Sequence, residues 1–387
     1  MQARWVLGLA LSYPAFGAVQ VEWNAPLAEC HPIDLTVSAE GRSYVTCHQP
    51  FGRAIEVYSY DLTGRLAASQ SLPAVQQESL LPRDLLLHEG FLYLSLTVQK
   101  AGAPQGRLLA LDPATLQIVW QKDEPQFIGN NLVPLPTGGL WWLGVKDAAN
   151  NDIQAFRFNR EGLVQASFRY DSGADDQLGL ERRSGAAAPA AGLYIGGYSQ
   201  VFHVTADGTL QWKVDFPSSA IMSRAQGELI VTHMRAPQGA TAEFNAEGRR
   251  LWELDQGGSA LTLAPDASVW VTGTRVTEDI AGWDVRVLHI SASGQLKTVD
   301  LYEGPLQDRA VDIGTDSRGN AYVLASSYVK SGLIGMQDRY LILKYNPEGR
   351  RLWSHLYGAN GLPEALQVTA QGAVYALGRD GTIRLQD

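Results

Sequence analysis

Two doublets stand out as chemistry. The chain has only two cysteines, Cys30 and Cys47, and each is followed directly by a histidine, His31 and His48, in AECHPIDLTVSAEGRSYVTCHQP. Thiolate and imidazole groups in this number admit three readings: a four-ligand metal site, a reactive thiol pair or a disulfide. Which one holds depends on the strands that carry them. If the strand SYVTC continues through His48, adjacent side chains point to opposite faces. Cys47 and His48 then cannot both turn towards one ion.

Other catalytic signatures are thin. His88, His203, His233, His289 and His355 are scattered. No G-x-S-x-G, H-E-x-x-H, P-loop or dinucleotide fingerprint appears, and no EF-hand spacing. A net charge of -9, from 31 basic and 40 acidic residues, argues against nucleic acid as a partner, because phosphate binding needs clustered Lys and Arg.

The N-terminal stretch MQARWVLGLALSYPAFG has the layout of a secretory signal peptide over residues 1–17. Arg4 is the positive region, Trp5 to Leu11 the apolar stretch, and Ala15-Phe16-Gly17 a small-x-small cleavage site. An ordinary first strand is the alternative. No later run reaches the ~20 apolar residues of a membrane helix, and no cysteine directly follows the signal to take a lipid. The expected location is therefore the periplasm or the secreted space.

The elements that must position any site repeat along the chain. A turn glycine, two residues and an aromatic open a β-rich run at Tyr44, Tyr93, Trp142, Tyr322 and Tyr375, with looser copies at Tyr194, Ile230 and Trp270. These anchors lie 36 to 53 residues apart, near the period of propeller blades. Before each comes an apolar or alternating run (DLTV, DLLL, ALTL, AVDI, ALQV). After each come a third strand and a polar turn, as in AFRFNREG and LILKYNPEG, then a fourth strand. Trp212, Trp252 and Trp353 fall four positions beyond turn glycines Gly208, Gly248 and Gly349. Each unit thus reads as four short antiparallel strands, A to D, apolar on both faces. Such a sheet must stack on neighbours, and radial stacking gives a propeller.

Seven units are complete and an eighth ends after three strands. VQVEWNAP at 19–26 resembles QWKVDFP at 211–217 and puts Trp23 in the recurring Trp position. The expectation is an all-β, eight-bladed propeller over residues 18–387, its last blade closed by the N-terminal strand, with seven blades as the alternative. RYLILKYNPEGRRLW at 339–353 resembles the repeat of bacterial quinoprotein-type (PQQ-like) propellers. Dehydrogenases of that superfamily hold a quinone with calcium or a lanthanide beside a disulfide of adjacent cysteines. This chain has no Cys-Cys pair, so no cofactor and no metal are expected. Strands A and B pair antiparallel, so Cys30 can come beside Cys47, and in an oxidising compartment a disulfide closing a loop of roughly 17 residues is the favoured reading. A metal site and unpaired thiols remain the alternatives.

Two sets of residues are candidates for binding. A–B and C–D turns share one face and are short; B–C and D–A connections share the other and are long and unlike one another. Variable loops on a rigid ring are where binding concentrates. This marks Trp283, Tyr328 and Met336 on the loop-rich face. The residues just before the A strands should ring the channel mouth and supply Arg83, Asp84, Asn131, Arg183, Arg309, Asp312 and Glu364. The Arg–Asp combination recurs in LPRDLLL and DRAVDI. The function expected is a non-catalytic scaffold binding a protein or polymer, and the alternative is a periplasmic hydrolase or lyase working at the channel mouth.

Overall fold

A computed structural model describes residues 20–27, 30–75, 78–100, 102–146, 150–178, 183–235, 239–276, 282–304, 306–331, 335–358 and 361–386. Residues 1–17, read from the sequence as a signal peptide, and the centres of the long loops lie outside them.

Eight four-stranded antiparallel sheets follow one another around a ring. In blade one the strands are His31–Val37, Ser43–His48, Ala54–Tyr60 and Leu66–Pro73, ordered from the channel outwards. Blade eight is built from Pro363–Val368, Val374–Gly378 and Gly381–Gln386, and its outer strand is Gln20–Ala25. Gln20 pairs with Gln386 and Ala25 with Thr382, so the two ends of the chain close the ring. Closure gives the third strand of blade eight a partner where it would otherwise present an open edge. The only helical segments among the described residues are two 3-10 turns, and no helix there is long and apolar enough to cross a membrane.

The repeated residues hold blade to blade. Trp23, Trp120 and Trp212 on outer strands donate their indole N–H to the Leu62, Arg160 and Ala246 carbonyls in the C–D turns of the next blades, at 3.0, 3.1 and 2.7 Å. Each ring lies on a turn glycine that only glycine can supply. A Cβ on Gly248 would stand 2.7 Å from the Trp212 ring, and Gly248 has φ +78°. The anchor aromatics are fully buried and reach across similarly: Tyr194 donates to the Gly227 carbonyl at 2.6 Å and Tyr375 to Gly41 at 2.9 Å.

Cys30 and Cys47 form a disulfide. It lies in the core shared by blades eight and one, with Ala25, Leu35, Val45, Ala365 and Tyr375. His31 and His48 pair across the same two strands on the more exposed side, their rings 5.3 Å apart. The four residues thus divide between the two faces of the sheet, as the alternation of side chains along a strand requires.

Candidate functional site: the central channel and its loop-rich mouth

The inner strands carry a recurring defect that positions the channel residues. Register shifts by one residue occur between Pro32 and Asp34, Pro82 and Asp84, Gly129 and Asn131, Ala310 and Asp312, and Pro363 and Ala365. Such a bulge re-aims the side chain that follows it. Sequence reading put the polar residues just before the inner strands; Arg83, Asp84, Asn131, Asp312 and Glu364 lie inside the strands at these bulges, Arg309 lies inside its strand ahead of the bulge, and Arg183 does precede its strand.

After four of the bulges sits an Asp or Asn that clasps the next blade. Asp34 accepts the N–H of Leu35 through Oδ1 at 2.9 Å and that of Leu85, in blade two, through Oδ2 at 2.8 Å. Asp84 accepts Leu132 N–H of blade three at 2.6 Å. Asn131 accepts Ser184 N–H of blade four at 3.2 Å. Asp312 accepts Ile313 N–H at 2.8 Å and Leu366 N–H of blade eight at 3.2 Å. Asp34 was missed as a site residue, although Asp34-Leu35, Asp84-Leu85, Asn131-Leu132 and Asp312-Ile313 share one pattern in the sequence.

The arginines do not repeat in the same way. Arg83 is the extra residue of its bulge, and its Nε donates to Thr97 Oγ1 at 3.3 Å while burial pulls its pKa down. Glu364 occupies the matching position in blade eight. Arg309 stands two residues earlier than the bulge of blade seven, whose extra residue is Val311. The resemblance of LPRDLLL to DRAVDI is thus structural for the aspartates and coincidental for the arginines.

Asp34, Asp84, Asn131, Arg183, Arg309, Asp312 and Glu364 line one cavity of about 740 Å³ on the loop-rich side of the channel. Arg183, just before the short inner strand Gly185–Ala187 of blade four, spans the channel. Its Nη2 lies 2.9 Å from Asp312 Oδ1 of blade seven, and its Nη1 donates to the Leu261 carbonyl of blade six at 2.8 Å. Arg183 also lines a second cavity of about 400 Å³ on the turn side. Its guanidinium is therefore a cross-bar between two chambers.

On the rim, Arg309 stacks on Trp283, its Cζ 3.8 Å from the ring centroid, which joins a channel candidate to a loop candidate. Tyr328 is partly buried on the second strand of blade seven, opposite Asp338, and its N–H donates to the Gln307 carbonyl at 2.9 Å. Met336 belongs to the strand Gly335–Tyr345, and its side chain lies outside the described residues. Two further pairs that sequence reading passed over share this face. Phe51 and Arg53 sit between the second and third strands of blade one, and Tyr198 and Arg235 sit in the same connections of blades four and five.

The buried histidines serve packing. His289 lies flat on Trp270 at 4.1 Å, with Nε2 3.0 Å from Ser268 Oγ, and burial lowers its pKa to about 4. His203 is lowered in the same direction by burial. Asp152, Asp171 and Asp176 come together in blade three, where Asp152 is paired with Arg169.

The ring and its channel define an eight-bladed β-propeller. The family described as "Outer membrane protein assembly factor BamB" matches residues 137–331, half of the chain, and the chain belongs to that family. No curated protein matches the sequence. Among solved structures, Sqt1 from Chaetomium thermophilum is 10% identical with a TM-score of 0.65, over 96% of this chain and 100% of that one. The quinohemoprotein alcohol dehydrogenase ADHIIG from Pseudomonas putida HK5 is 12% identical with a TM-score of 0.59, over 94% and 72%. A streptogramin B lyase is 13% identical with a TM-score of 0.51, over 95% and 97%. At such identities the likeness is one of fold, shared by proteins with and without enzyme names. The family and the internal disulfide together mark an extracytoplasmic protein.

Proposed function

We propose that this chain is a periplasmic or secreted binding propeller, delivered by the signal segment 1–17, that presents its loop-rich face to a protein or polymer and has no catalysis of its own. The observation that carries this reading is the use made of the channel charges. Asp34, Asp84 and Asp312 accept backbone N–H groups of neighbouring blades, and Arg183 is held by Asp312 and a carbonyl. A hydrolytic site needs an acid, base or nucleophile poised towards substrate, whereas these groups are engaged in holding the ring together. The family's description as an assembly factor agrees with a scaffold role.

Native mass spectrometry of the protein taken gently from its producing cell tests the reading. A macromolecular partner and no stoichiometric small molecule are expected. A small molecule that co-purifies with the wild type and is lost from Arg183→Ala would replace the scaffold with a channel-based receptor or enzyme.

A further inference from the structure

Three aromatic–arginine pairs stand around the loop-rich mouth, on three sides of the ring. Arg309 lies over Trp283 at blades six and seven, Arg235 over Tyr198 at blades four and five, each with Cζ 3.8 Å from the ring centroid, and Arg53 lies 5.7 Å from the Phe51 ring at blade one. All three arginines are exposed. Among the described residues none of them meets a carboxylate within ion-pair distance, although acids outnumber bases in the chain by nine and other arginines are paired.

Phe51 is the most telling member. It is 86% exposed and holds a left-handed backbone, φ +63°, in the turn Pro50–Gly52. A phenylalanine in that conformation costs roughly 1–2 kcal/mol, and a water-exposed ring returns nothing for it. Tyr198 is half exposed. Aromatic and arginine side chains are the types that dominate binding energy at protein interfaces. Stacking on a ring, aided at Arg235 by a hydrogen bond that its Nη2 donates to the Tyr198 carbonyl, holds the guanidinium in place and leaves further N–H donors for a carboxylate.

Resting on the scaffold reading above, we propose that these three pairs form one docking surface, and that its occupant is a folded protein with an acidic contact face. The charge sign follows from three cations that meet no carboxylate among the described residues. The size follows from their placement on three sides of the channel: a small ligand or a single extended segment would engage one pair, and only a broad surface meets all three.

A benzophenone amino acid placed at position 51, 198 or 283 in the full-length protein, and irradiated in the producing cell, tests this. The expected result is an adduct to the same protein from all three positions, with cross-linked peptides rich in Asp and Glu, and no such adduct from position 207 on the opposite face. Adding Arg53→Glu, Arg235→Glu and Arg309→Glu together should cut the adduct at least tenfold while the thermal melt of the propeller is unchanged. Adducts to lipid or polysaccharide alone, to different proteins at the three positions, or to nothing would overturn the proposal. So would a partner that stays bound after all three reversals, an outcome that would leave the scaffold reading standing.

Discussion

Asp84 and Asp312 carry the same backbone task, and a single substitution separates that task from ligand binding. Removing the Asp84 carboxylate leaves the Leu132 N–H without its acceptor at a blade junction, a loss of about 1–3 kcal/mol. Asp84→Ala should therefore lower the urea midpoint measurably. Asp84→Asn should cost less than about 1 kcal/mol, because Asn131 performs the same clasp one blade later with an amide oxygen. Equal losses from the two variants would show that the negative charge, rather than the acceptor, is what the site needs. The Asp-aliphatic pair was visible in the sequence. That it clasps a neighbour was not, since Leu132 lies 48 positions from Asp84 and only the curvature of the ring brings the two together.

Individual blades owe their geometry to glycines that meet tryptophans. Gly248 and Gly173 share φ +78°, yet a Cβ at Gly248 would meet Trp212, whereas one at Gly173 meets nothing within 4 Å. Gly173→Ala then bears only the left-handed backbone cost of roughly 1–2 kcal/mol. Gly248→Ala adds displacement of the docked indole, on the order of 1–3 kcal/mol more by overpacking. Chemical denaturation of the two variants should rank them in that order; a reversed order would mean that Trp212 docking contributes little to the blade junction. The glycine-aromatic spacing was legible because it repeats with the blade period. The bulges of the inner strands were not, since they leave only one extra residue and no fixed residue type: Arg83 in blade two and Glu364 in blade eight occupy the same place.

For the whole ring, the disulfide and the N-terminal strand act on one junction. Cys30–Cys47 spans 17 residues beside the core of blades eight and one, so removing it by Cys30→Ala with Cys47→Ala should cost about 3 kcal/mol. Unfolding of the wild type with and without reductant, set beside the double variant, measures this. A variant as stable as the oxidised wild type would mean that strand pairing alone secures the closure. The eight-fold count needed the same junction, because the last blade lacks its outer strand until Gln20–Ala25 is taken from the other end of the chain.

By itself the sequence determined the blade repeat and pointed to the closing strand; among disulfide, metal site and free thiols it only favoured the disulfide that the structure holds. The repeat is a local pattern and the closing strand a match between the two chain ends, and periodicity survives without coordinates. Only the tertiary structure decided what the channel charges do. Arg183 and Asp312 lie in blades four and seven, and their ion pair exists because the ring aims both side chains at one axis. The aromatic–arginine pairs were likewise decided there: Tyr198 with Arg235 joins neighbouring blades through their loops, and Trp283 with Arg309 through strand ends, and their sequences share no spacing that could announce the contact.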